Sequence, residues 1–136
     1  MKVWNSYSSE HSAKIVLVGE FKTVEDANAL MKELTEFEEM LRPHAQECYD
    51  APERYPEDVK NALYEGKKFP HAQYVYSGEL QQFVCDHDLD QSENKVIIHS
   101  DEYEWGGVLK MLITAGAKIS VFSGHDYPEE AKKYAQ

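Results

Sequence analysis

An α+β fold is predicted by three observations: two apolar patterns of helical period, four short β-rich runs, and the order in which they alternate. Ala13–Phe21 (AKIVLVGEF) is rich in β-branched residues and alternates in part, which predicts a strand. Lys2–Tyr7 offers a further short strand or arm. Thr23 then stands where an N-cap is needed, with Glu25 and Asp26 behind it to complement the exposed N–H groups of a first turn. Ala27, Leu30, Met31, Leu34, Phe37 and Leu41 recur at helical spacing, and Pro43 is expected to end that helix.

Residues 43–78 hold four prolines and read as an irregular insertion. Within it, Pro56, Val59, Ala62 and Leu63 predict one short helix closed by Gly66. Leu80–Asp86 (LQQFVCD) and Lys95–His99 (KVIIH) are expected as strands, with the polar stretch Asp88–Asn94 as their hairpin loop. Ser100 is expected to cap a second helix whose first turn holds Asp101 and Glu102. Its apolar face would be Trp105, Val108, Leu109, Leu112 and Ile113, and Gly116 would end it. Ala117–Phe122 (AKISVF) predicts the last strand, and a short helix or frayed tail follows from Pro128.

The resulting order, β-α-insertion-β-β-α-β, is the split βαβ or ferredoxin-like arrangement. It puts two helices on one face of an antiparallel sheet with strand order 4-1-3-2. A chain of 136 residues fits one domain and buries enough surface to fold without disulfides or structural metal. Cys48 and Cys85 are not in a CxxC pair, and no apolar leader or span is visible, so reduced thiols in a cytoplasmic protein are expected.

Charge restricts the partners. The net charge is −11, and between Asp86 and Glu104 seven acids face Lys95 alone. Such a surface repels nucleic acid and anionic membranes and attracts a basic protein. Asp86, Asp88, Asp90 and Glu93 are the expected partner-binding residues.

The assumed topology also gathers polar groups on one rim of the sheet. Ser123–Tyr127 would lie near Ser8–Ser12, with Asp86, His87 and Asp88 at the same end and His99 at the other. Imidazole beside carboxylate suits general acid–base chemistry, so His11, His125, Asp126 and Glu10 are candidate catalytic residues. His11, His87 and His125 are candidate metal ligands. Ser9 or Ser123 with a rim histidine would make a nucleophile pair. The spacing matches no zinc, G-x-S-x-G, P-loop or dinucleotide motif, so no cofactor is predicted.

The opening Lys2–Ser12 (KVWNSYSSEHS) and the close Ser123–Pro128 (SGHDYP) resemble an uncharacterised bacterial family that opens KVWNSYGSEHS and ends near SAHDYP. Gly78–Phe83 (GELQQF) is similar as well. Ser8 stands where the family has Gly, Gly124 stands where it has Ala, and residues 43–77 do not match. The resemblance implies a small bacterial cytosolic protein and no particular activity.

The leading functional expectation is a non-enzymatic, acidic protein-interaction module of the immunity, antitoxin or defence-accessory kind. The alternative is a small enzyme or a metal- or ligand-binding protein that uses the His/Asp rim. A homodimer through the sheet face or an edge strand is a further expectation.

Overall fold

The computed structural model describes residues 14–65, 68–101 and 105–134. Within them four strands form one antiparallel sheet: β1 (Ile15–Glu20), β2 (His87–Ser92), β3 (Lys95–Ser100) and β4 (Lys118–Ser123), in the order β2-β3-β1-β4. The helices are α1 (Val24–Leu41), α2 (Ala45–Asp50), α3 (Glu57–Tyr64), α4 (Gln81–Val84), α5 (Gly106–Thr114) and α6 (Pro128–Lys132). The class is α+β.

Alternation along the strands divides the sheet into two faces. Ile15 and Leu17 of β1, with Val96 and Ile98 of β3, point into the main core. Against them α1 lays Ala27, Leu30, Leu34, Phe37 and Leu41, all buried. Thr23 caps this helix as the sequence predicts, its hydroxyl accepting from the Asp26 N–H at 3.1 Å. From α5 come Val108, Met111 and Leu112. Helix and strand approach closely there: a Cβ on Gly19 would lie 2.8 Å from Leu112 Cδ2. Val16, Val18, Ile97 and Phe122 occupy the opposite face, packed with Ala131 and Tyr134 of the C-terminal segment. That face is therefore partly covered, and the helices are not confined to one side.

Several sequence expectations are corrected. The stretch 43–78 is largely helical: a 3-10 turn at Arg42–His44 carries the chain past Pro43 into α2, α3 follows, and further 3-10 turns occupy Pro70–Ala72 and Ser77–Glu79. The first helix ends at Leu41, ahead of Pro43 as expected, but proline at the start of a 3-10 turn removes no needed hydrogen bond, so helical structure resumes beyond it. The expected closure by Gly66 lies outside the described residues.

Leu80–Asp86 is not a strand. The Ser77–Glu79 turn is braced by Glu79, whose carboxylate accepts from the Tyr76 N–H at 2.9 Å, and it runs on into α4. Leu80 and Phe83, both buried, are three residues apart, a helical spacing. The strand is instead His87–Ser92, the stretch expected as a loop, and only the two residues Glu93 and Asn94 make the turn. Glu93 takes the left-handed conformation there, with φ 54°.

The second helix also begins later than expected. Ser100 ends β3 instead of capping α5, Asp101 precedes the helix, and Glu102 lies outside the described residues. With the start at Gly106, Met111 turns inward and Ile113 faces solvent at 64 % exposure. Gly116 ends the helix at φ 89°, as the sequence predicts.

Candidate functional site

The starts of β1 and β2 and the ends of β3 and β4 meet on one rim. Ile15 is opposite both Ser100 and Ser123, and His87 is opposite Ser100. Asp86, His87 and Asp88 do reach this rim, though for another reason than expected. Asp86 immediately precedes β2, and His87 and Asp88 begin it rather than lead into its hairpin; that hairpin turn lies at the far end, where Phe21 N–H donates to Asn94 O at 2.8 Å. Because β3 is antiparallel to β1, its last residues belong to the rim as well, and this corrects His99. It sits opposite Val16 and Asp88, among the rim residues instead of at the other end.

The expected histidines do different things. Glu10, His11 and Ser9 lie outside the described residues. His125 and Asp126 are exposed in the turn after β4, where the His125 N–H donates to Ser123 Oγ at 3.2 Å. His87 is already engaged on both nitrogens. Its Nδ1–H donates to Cys85 O at 2.7 Å and its Nε2–H to Glu38 Oε1 at 2.6 Å, with the Trp105 ring edge-on at 5.1 Å. Both partners are acceptors, so both ring nitrogens carry protons. Burial opposes that charge, but hydrogen bonding to Cys85 and Glu38, together with the Glu38 charge, outweighs it and raises the pKa to about 10. A ring held in this way has no lone pair for a metal or a substrate proton, which removes His87 from the metal candidates. Among the described residues no group of three or more His, Cys, Asp or Glu is arranged to hold a metal ion.

The acids predicted to bind a partner lie along an edge. Among the described residues β2 borders only β3, so its outer backbone edge has no strand neighbour there. Asp88 and Asp90 alternate along it and share the face opposite the main core, Asp86 stands just before the strand, and Glu93 follows in the turn.

Two adjoining concavities open at the rim. One, of about 350 Å³, is walled by Asp86, Asp88, Asp101, Ser100, His99 and Lys14. The other, of about 400 Å³, lies between the outer sheet face and α6, with Val16, Pro128 and Ala131 as apolar walls. Lys14, Asp88 and His99 line both. His99 and Lys14 are the site residues that sequence reasoning missed. The signal for His99 was available: in KVIIH it alternates with Ile97, and the end of an antiparallel neighbour must lie beside the start of β1.

The other described histidines near carboxylates are paired. His71 Nδ1 lies 2.7 Å from Glu33 Oε1, and His44 lies 3.3 Å from Glu47 and 3.4 Å from Asp58. His99 differs, for its Nδ1 is buried and has no hydrogen-bond partner.

Among the described residues no helix is long and apolar enough to cross a membrane. In comparison with known proteins, the model of a family described as a family of unknown function (DUF6375) matches residues 1–134. No curated protein and no solved structure matches.

Proposed function

The chain belongs to that family of unknown function, DUF6375, and from this premise we propose that it is a non-enzymatic interaction module whose acidic edge strand binds a basic protein partner. One observation carries the reading: Asp88 and Asp90 alternate along β2, with Asp86 just before it, and among the described residues the outer backbone edge of this strand has no neighbour in the sheet. An extended basic segment laid along that edge gains main-chain hydrogen bonds from the backbone and charge pairing from the carboxylates. A second copy of this chain does not suit the edge, because its own β2 would set carboxylate against carboxylate. The engaged nitrogens of His87 favour binding over catalysis at the rim.

The strand order β2-β3-β1-β4, with α1 between β1 and β2 and α5 between β3 and β4, supports a ferredoxin-like lineage. An acidic module that masks a basic surface suits an immunity, antitoxin or defence-accessory role in a bacterial cytoplasm.

The test is a pull-down with intact-mass readout using wild type and the variant Asp86→Asn, Asp88→Asn, Asp90→Asn, Glu93→Gln. The wild type should retain a basic protein that the variant loses, and its association rate should fall as salt rises. A partner kept by the variant, with salt-insensitive association, overturns the proposal.

A further inference from the structure

We infer that the concavity between the outer sheet face and α6 is a binding site for a small apolar zwitterion, a free α-amino acid with an aliphatic side chain. It is built from complementary charges that do not meet. Lys14, Asp88 and His99 line the same space, yet no ion pair or hydrogen bond joins any of their side chains to a described residue. Asp88 and His99 are direct cross-strand neighbours, near enough for the carboxylate contact that His44, His71 and His87 make.

Lys14 is held in an uncommon way. Its backbone is left-handed, at φ 46°, a conformation that strains a residue with a side chain. Its carbonyl accepts from the Gly124 N–H at 2.8 Å, and its stem lies across Gly124 so closely that a Cβ there would be 3.0 Å from Lys14 Cδ. A side chain at 124 would push that stem aside by a few tenths of an ångström. The strain is therefore tied to a route that brings the lysine to the groove.

The occupant follows from the chemistry of the walls. An ammonium group suits Asp88, with Asp86 and Asp101 nearby adding negative potential. A carboxylate suits Lys14, and the His99 ring forms part of the wall beside both groups. Val16, Pro128 and Ala131 form the apolar wall for an aliphatic side chain. Lys132, on the same rim, is 3.1 Å from Glu129 and is partly satisfied already. A volume of about 400 Å³ is ample for one amino acid. A simple anion would meet the acids, and a simple cation would meet Lys14. A zwitterion uses both.

The experiment is a two-dimensional amide NMR titration of the full chain with leucine, with isocaproate (leucine without its amine) and with isoamylamine (leucine without its carboxyl group). Leucine should shift the amides around Val16, Asp88, His99 and Ala131, and each truncated ligand should bind about ten-fold more weakly or worse. Asp88→Asn should weaken leucine and isoamylamine but not isocaproate, and Lys14→Met should do the reverse. That crossed pattern does not arise from a fold defect, and the variants' own spectra report folding. Asp90→Asn with Glu93→Gln, outside the groove, should leave leucine binding intact even if it abolishes capture of a basic partner, so the two readings fail separately. Equal binding of all three ligands, shifts confined to other surfaces, tighter binding of arginine than leucine, or no shift at all overturns the inference.

Discussion

Glu38 Oε1 lies 2.6 Å from His87 Nε2, so a carboxylate of α1 grips the first residue of the edge strand β2. Both side chains are nearly buried, at 12 % and 8 % exposure. The His87 pKa, raised to about 10 from an unfolded value near 6.5, fixes the sign of the pH dependence. The folded state holds this proton more tightly than the unfolded chain, so stability falls as the proton is lost. The contribution is complete below about pH 6.5 and disappears as the pH rises through about 10. Denaturant midpoints across that window should decline in wild type. Glu38→Gln should be destabilised by about 3–5 kcal/mol at neutral pH, the usual cost of stranding one buried partner, and should lose most of the pH slope. A flat wild-type profile would show that His87 is not held as a cation.

Gly107 marks where α5 docks against the turn before it. A Cβ there would lie 2.9 Å from Phe83 Cε2 and 3.2 Å from Glu79 Cβ, while the Gly107 N–H donates to Gln82 Oε1 at 2.8 Å. Alanine favours helix over glycine by about 1 kcal/mol, but overpacking a core contact costs about 1–3 kcal/mol. Since Phe83 is buried at 2 % exposure and also meets Phe37 edge-on at 4.9 Å, it has little room to yield. Gly107→Ala should therefore lower the thermal midpoint, and a rise would mean that the helix gain wins.

The parts of the fold that were legible in the sequence are those where a single period dominates. Helix α1, strands β1, β3 and β4, and the Gly116 stop all carry strong local patterns. Besides the helices missed in 43–78, the failures lie between Leu80 and Trp105, where the local signals are weak or misleading. LQQFVCD contains enough β-formers to suggest a strand, but its Leu80–Phe83 spacing and paired glutamines suit a helix that Glu79 initiates. HDLDQS has one aliphatic residue and two aspartates, which propensity disfavours in a strand, yet pairing with β3 and burial of Leu89 and His87 against the core override propensity. The acidic stretch from Asp86 to Glu93 was visible as composition, although its placement on an edge was not. His99 itself was legible from the antiparallel pairing of β3 with β1, but Asp88 opposite it was not, because that pair depends on where β2 begins.

Cys48 should be chemically silent in the folded protein. It is 2 % exposed in α2, and its thiol pKa is raised, chiefly by burial and also by the Glu47 charge. Only the thiolate reacts, so both lack of access and lack of charge protect it. Cys85 is half-buried, with its thiol directed at Gln82 O at 3.2 Å. Mass mapping after brief iodoacetamide treatment should find label on Cys85 well before Cys48, with both labelled in denaturant. Native labelling of Cys48 at a comparable rate would require α2 to open locally.

Replacing His99 should make the protein more stable, an outcome expected of few buried histidines. Its Nδ1 is buried without a hydrogen-bond partner, and a buried polar atom left unsatisfied costs about 1–3 kcal/mol. Its row on the outer face continues through Val16 to Phe122, so an apolar side chain at this position has apolar company. His99→Leu removes the unsatisfied atom and extends the cluster, and the denaturant midpoint should rise by the equivalent of about 1 kcal/mol. The same change should abolish the leucine-induced shifts, because the groove then loses its imidazole. Stability gained together with binding lost is the signature of a residue kept for a ligand at the fold's expense. A lower midpoint in His99→Leu would mean that the imidazole has a structural partner in the folded protein, and His99 would then be a packing residue like His87.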